Sequence, residues 1–154
     1  MTLLLNSGSP EETLSLGTAL GSILEGDELV FLSGSLGAGK TMFAKGIGNA
    51  LGIEEREIVS PSYTLMNIYE GKFKLFHIDL YRIGEHVSGG IPEIDDNLDT
   101  GIIVVEWADY IREFYCEERR LLNLFIGTTG TGNRGRKISI STEIHIPPGT
   151  FSGY

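Results

Sequence analysis

The sequence predicts a single α/β domain with a mainly parallel central sheet, an antiparallel hairpin and helices on both faces. Three observations carry that prediction. The runs "ELVFLS" at 28–33 and "GIIVVEW" at 101–107 are apolar on both faces, as buried parallel strands are. The first run passes straight through a glycine-rich loop into a segment with helical spacing. The length, 154 residues without an internal repeat or linker, suits one domain, expected over 1–146 with a flexible tail at 147–154.

Each element has its own signal. "SPEETLSLGTALGSILEG" reads as an amphipathic helix: Ser9 and Glu12 form a capping-box pair, and Pro10 occupies the first helical position, where a missing N–H costs nothing. Leu16, Leu20, Ile23 and Leu24 share a face, and Gly26 marks the end. After the glycine loop, Phe43, Ile47 and Leu51 recur at helical spacing. "YTLMNIYEGKFKLFHIDLYR" reads as two strands joined at Glu70–Gly71. The polar stretch from Gly84 to Gly101 reads as a loop or short helix over one face. "WADYIREFYCEERR" looks helical, with Trp107, Ile111 and Phe114 on one side. "LLNLFIG" and "KISISTEIHI" close the chain as strands, the second alternating from Ile138 to Ile146.

Composition narrows the function. A net charge of −9 argues against a broad nucleic-acid-binding surface, so no strong direct contact with nucleic acid is expected. A lone cysteine, Cys116, excludes an internal disulfide framework and fits a reduced, cytoplasmic setting. "MTLLLN" lacks the basic and apolar regions of a secretory leader, and nothing approaches a membrane span. Glycine, at 21 residues, is about twice as frequent as average, which points to tight turns and close backbone approaches.

The chemistry begins at "GSLGAGKT", which matches G-x-x-x-x-G-K-[ST] through Gly34, Gly39, Lys40 and Thr41. A loop whose backbone N–H groups wrap phosphate oxygens must lack side chains where it curls. Lys40 supplies a point charge, Thr41 a hydroxyl for Mg²⁺, and the following helix its N-terminal dipole. The strand before the loop and the helix after it make this a phosphate cradle in a P-loop NTPase-like domain. A metal-bound nucleotide also wants a carboxylate at a neighbouring strand end, and Asp79 and Glu106 both fit. "SPSYT" at 60–64 follows as a proline turn opening a strand. His77 shares a strand face with Asp79 but on its own reads as structural, and Arg82, Arg134 and Arg136 read as solvated.

GTPases carry D-x-x-G and N-K-x-D motifs; here Asp79 is followed by "LYR" and N-K-x-D is absent. A small-molecule kinase shares the loop but adds an arginine-rich lid, and the seven arginines here are scattered. A nucleotide-gated adaptor needs the same loop and stays open as an alternative.

The ordered set "T-x-x-L-G" at 13–17, "GSLGAGKT", "SPSYTL", "HIDLYR" and "VEW" resembles the bacterial TsaE family from about Thr13 to Trp107, with a weaker echo at "GNRGRKISI". That resemblance implies a small P-loop ATPase that binds ATP/ADP and Mg²⁺ and hydrolyses ATP slowly by itself. It also implies a role in threonylcarbamoyladenosine (t6A) modification of tRNA next to the anticodon, with two partners, TsaB- and TsaD-like proteins. By motif match, Gly34 and the run Gly37, Ala38, Gly39, Lys40, Thr41 and Met42 bind phosphates, and Thr41 and Glu106 hold the metal. Asp79 serves the metal or the attacking water, and Thr64 lies in a switch-like segment. Thr13 approaches the adenine, Arg134 contacts nucleotide, and Trp107 stands beside the site. Three positions depart from the family pattern: Met42 replaces a second threonine, Ser62 replaces the threonine of "SPT", and "GEHVSGGIPEI" replaces "D-P-E-E-L".

Overall fold

Seven apolar runs pair into one mixed sheet in the computed structural model, which describes residues 1–61, 63–129 and 134–154. The strands are β1 (Thr2–Ser7), β2 (Leu29–Ser33), β3 (Met66–Tyr69), β4 (Leu75–Asp79), β5 (Ile102–Glu106), β6 (Leu121–Thr129) and β7 (Gly135–Thr142), in the order β1-β7-β6-β2-β5-β4-β3. β2 runs parallel to both β5 and β6, and β5 parallel to β4. The expected hairpin, β3–β4, is antiparallel, as are β6–β7 and β1–β7. β2 and β5 are buried along their whole length, which explains their unbroken apolar runs.

β1 went unassigned in the sequence reading, because three consecutive leucines hide its alternation. Leu3 and Leu5 pack against the core while Leu4 points outward. β7 stops at Thr142 rather than continuing to Ile146. The Thr142 hydroxyl donates to Leu121 O and accepts from Ile144 N, closing the strand end with side-chain bonds. Beyond it, Ile146 and Phe151 pack on the same core, and Thr150 N donates to Pro147 O.

Helices α1 (Pro10–Gly21) and α2 (Lys40–Ala50) cover one face of the sheet. Leu16, Leu20, Phe43 and Ile47 are fully buried there, each contributing roughly 1.5–3 kcal/mol. Ser9 caps α1 by accepting from Glu12 N at 3.1 Å, while the Glu12 carboxylate accepts from Gly8 N at 2.6 Å, one residue earlier than in a standard capping box. α1 ends at Gly21, short of Gly26; Ile23 and Leu24 follow in a terminal turn, and Leu24 remains buried. α1 and α2 meet through Gly17 and Gly46: a Cβ at Gly46 would lie 2.1 Å from Leu14 O, and one at Gly17 2.3 Å from Phe43 O. This close approach sets Thr13 of α1 beside the loop that precedes α2.

The opposite face buries Phe31, Ile78, Ile103 and Val105 under short elements, including α3 (Pro92–Asp95). Tyr115 fastens this cover: its hydroxyl donates to Asp95 Oδ1 at 2.7 Å and accepts from Ile91 N at 2.9 Å, and its ring meets Phe31 edge-on. Burial and the Asp95 bond push its phenol well above the ordinary tyrosine range. The segment after β5 is not the α-helix its spacing suggests but two 3₁₀ turns, Ala108–Tyr110 and Arg112–Phe114. Trp107 sits in the left-handed region at φ 60° and Ile111 at φ −122°, which interrupts helical backbone at both points. Among the described residues no helix is long and apolar enough to cross a membrane.

Candidate functional site

In a parallel sheet the carboxyl ends of the strands open onto one edge, and here that edge carries Ser33, Asp79 and Glu106. The chain leaves β2 through Gly34, at φ +144°, where a Cβ would lie 2.3 Å from Ile126 O. No other residue type fits that exit. The loop curls back through Gly37 and Gly39, both at positive φ, and enters α2 at Lys40. No side chain caps α2, so its first-turn N–H groups face the cleft as an anion site.

Lys40 Nζ donates to Gly34 O and Ser35 O, both at 2.8 Å, and stands 4.1 Å from the Trp107 ring centroid. Burial pulls its ammonium below the ordinary lysine value, against the opposing pull of Glu106, Asp79 and Asp109. Trp107, turned inward by its left-handed backbone, also stacks obliquely on Tyr81 at 4.9 Å.

Asp79 and Glu106 are register partners on adjacent parallel strands, so both carboxylates leave the same face. Glu106 is 2% exposed. Its Oε1 accepts from the Thr41 hydroxyl at 2.7 Å and its Oε2 from His77 Nε2 at 2.7 Å. Asp79 is only half-buried, with Oδ2 accepting from the Ser60 hydroxyl and Oδ1 from Tyr81 N, each at 2.8 Å.

Two adjoining clefts share the loop as their wall. One, about 400 Å³, is lined by Gly37, Gly39, Lys40, Thr41, Met42, Asp79, Glu106 and Trp107. The other, about 510 Å³, is lined by Thr13, Gly37, Ala38, Gly39, Met42 and Arg134, with Gly8 to Glu11 opposite. Together they hold the size and chemistry of a nucleotide, polar and charged at one end and mostly apolar at the other. Thr13 is buried, its hydroxyl engaged with Ser7 Oγ at 2.7 Å and Ser9 O at 3.2 Å. Arg134 is exposed at the rim of the larger cleft. Thr64 lines neither cleft; its exposed hydroxyl donates to Asn67 Oδ1 at 3.0 Å. Ser62 lies outside the described residues.

Sequence reasoning passed over two residues that the structure puts at the centre. Arg136, read as solvated, donates from Nε to Ala38 O at 2.6 Å and from Nη2 to Gly37 O at 3.0 Å, holding the middle of the loop. The signal lay in the alternation of β7, which places Arg136 on the same face as buried Ile138. His77, fully buried, was identifiable from its spacing to Asp79 but not its bond to Glu106, a residue of another strand.

The donors suit a hard divalent cation. Thr41 and Glu106 offer a hydroxyl and a carboxylate beside the loop, with Asp79 next to them, all oxygen. Among the described residues no group of three His, Cys, Asp or Glu side chains lies close enough to hold a metal ion.

Comparison with known proteins gives the chain its relatives. The profile of the family described as "Threonylcarbamoyl adenosine biosynthesis protein TsaE" matches residues 7–138. A Treponema pallidum protein named tRNA threonylcarbamoyladenosine biosynthesis protein TsaE is 38% identical over 114 residues, covering 68% of this chain and 78% of its own length. A Nostoc protein of the same name is 41% identical over 104 residues, covering 64% of each. The crystal structure of YdiB from Bacillus subtilis superposes with a TM-score of 0.73 at 27% identity, covering 92% of this chain and 86% of YdiB.

Proposed function

The chain belongs to the TsaE family, and on that premise we propose that it binds Mg²⁺-ATP in the two adjoining clefts and hydrolyses it slowly within tRNA t6A biosynthesis. The observation that carries this reading is the Thr41–Glu106 contact beside an uncapped helix N-terminus and Lys40. These are the parts a phosphate-bound divalent cation requires.

The roles follow from position. The loop N–H groups and Lys40 cradle the β- and γ-phosphates, and Trp107 shields the lysine from water. Thr41 and Glu106, with Asp79 nearby, would hold Mg²⁺, which would supply charge neutralisation at the phosphate oxygens. Each carboxylate accepts two hydrogen bonds, Glu106 from Thr41 and His77 and Asp79 from Ser60 and Tyr81 N, but Glu106 is buried whereas Asp79 is half-buried and faces the cleft. On that exposure Asp79 is the carboxylate we assign to orient the attacking water. Thr13 and Arg134 flank the nucleoside in the larger cleft, while Thr64, which lines neither cleft, has only the switch-like role that the family resemblance implies. The formal charge of −9 leaves tRNA contact to the partners, TsaB- and TsaD-like proteins.

Phosphate release from Mg²⁺-ATP, measured with and without the two partners, tests this reading. Slow turnover that Asp79→Asn abolishes while ATP still binds supports it. Transfer of phosphate to a small acceptor instead of water identifies a kinase. Full t6A formation by the Asp79→Asn protein identifies an adaptor in which binding alone carries the signal.

A further inference from the structure

His77 has no part in the catalytic reading above, yet it is 0% exposed and bonds directly to the most deeply buried carboxylate of the cleft. A carboxylate oxygen only accepts hydrogen bonds, so His77 Nε2 carries the hydrogen. Nδ1 has no hydrogen-bond partner among the described residues, so the bond to Glu106 is the ring's directional tether there. A buried polar nitrogen left unpaired is costly, and an apolar side chain at this place in the core would avoid that cost. The imidazole needs another reason to be here.

Glu106 supplies it. Its side chain ends β5 with two chemically equal oxygens, and burial alone does not determine which faces the cleft. The structure divides them: Oε2 is held from β4 by His77, and Oε1 meets Thr41 at the start of α2. We infer that His77 is a positioning residue for Glu106, fixing the carboxylate so that Oε1 is presented beside the Thr41 hydroxyl and thereby setting the affinity of the cleft for a divalent cation. Hydrogen bonds to a ligating group orient it in this way, and their loss typically weakens metal binding about 10–100-fold. The inference rests on the Mg²⁺-ATP reading of the site.

The test is calorimetric titration of ATP into the full chain, once in excess EDTA and once with saturating Mg²⁺. The variants are His77→Phe, His77→Gln, His77→Asn and the double variant His77→Phe/Glu106→Gln. The inference expects His77→Phe to bind metal-free ATP within about twofold of wild type and to lose about tenfold or more in the presence of Mg²⁺. Gln, whose amide nitrogen reaches the Nε2 position, restores most of the loss, and Asn, which is shorter, does not. In the Glu106→Gln background His77→Phe removes nothing further.

Unchanged Mg²⁺-ATP binding by His77→Phe, equal losses with and without metal, or losses that add in the double variant each overturn the inference. If His77→Phe fails to fold by thermal melting, the Gln and Asn variants decide, and equal Mg²⁺-ATP affinities for those two overturn it. Wild-type binding that ignores Mg²⁺ overturns the reading of the site itself, an outcome distinct from all of these.

Discussion

The Thr41 hydroxyl donates to Glu106 Oε1 at 2.7 Å, tying the first turn of α2 to the end of β5 across 65 residues of chain. Thr41→Val removes the donor while keeping the side-chain shape. Its stability falls by about 1.5–3 kcal/mol, the worth of a hydrogen bond to a charged group whose partner is left buried, and the Mg²⁺-dependent part of ATP binding disappears. Thr41→Ser keeps both. Calorimetry with and without Mg²⁺ separates the two variants, and equal Mg²⁺-ATP affinity in Thr41→Val and wild type removes Thr41 from the site.

Gly34→Ala strikes the loop at its exit from β2. The new Cβ meets Ile126 O at 2.3 Å and the backbone is at φ +144°, so strain and overlap add. A loss of about 3 kcal/mol is expected in denaturant unfolding, together with loss of ATP binding. A variant as stable as wild type would mean the loop leaves β2 by another path.

Gly46→Ala sets two magnitudes against each other. Alanine gains about 1 kcal/mol over glycine as a helix former. Its Cβ, however, would press to 2.1 Å from Leu14 O and drive α1 off α2, and overpacking of this kind costs typically 1–3 kcal/mol. Backbone atoms give less readily than side chains, so the clash wins and the melting temperature falls. A raised melting temperature would show that the helices cross farther apart.

Arg136→Lys preserves charge but not the paired donors aimed at Ala38 O and Gly37 O. Bonds from a charged group are worth about 1.5–3 kcal/mol each, so the melting temperature should fall, and with the loop released nucleotide affinity should fall about tenfold or more. Unchanged affinity would assign Arg136 a surface role.

How far the sequence disclosed this molecule depends on the range of the forces involved. "ELVFLS" and "GSLGAGKT" could be read because a buried strand and a side-chain-free loop each leave a local pattern, and α2 followed from its own spacing. Lys40 and Thr41 follow from the loop motif, and Asp79 and Glu106 join them because strand ends converge on one edge in any parallel sheet. Contacts between distant segments were not visible. His77 meets Glu106 only once β4 lies against β5, and Arg136 reaches the loop only once β7 has paired back against β6. The segment after Glu106 has helical spacing, yet left-handed Trp107 stands before it and Ile111, at φ −122°, divides it into two short turns.

The central claim is that Lys40 and its loop serve tRNA modification through ATP. The measurement is the t6A content of tRNA from a bacterial strain deleted for its own TsaE gene and supplied with this chain or with Lys40→Ala. Wild type is expected to restore the modified nucleoside, and Lys40→Ala, although folded, to leave it absent. Equal restoration by both would contradict it.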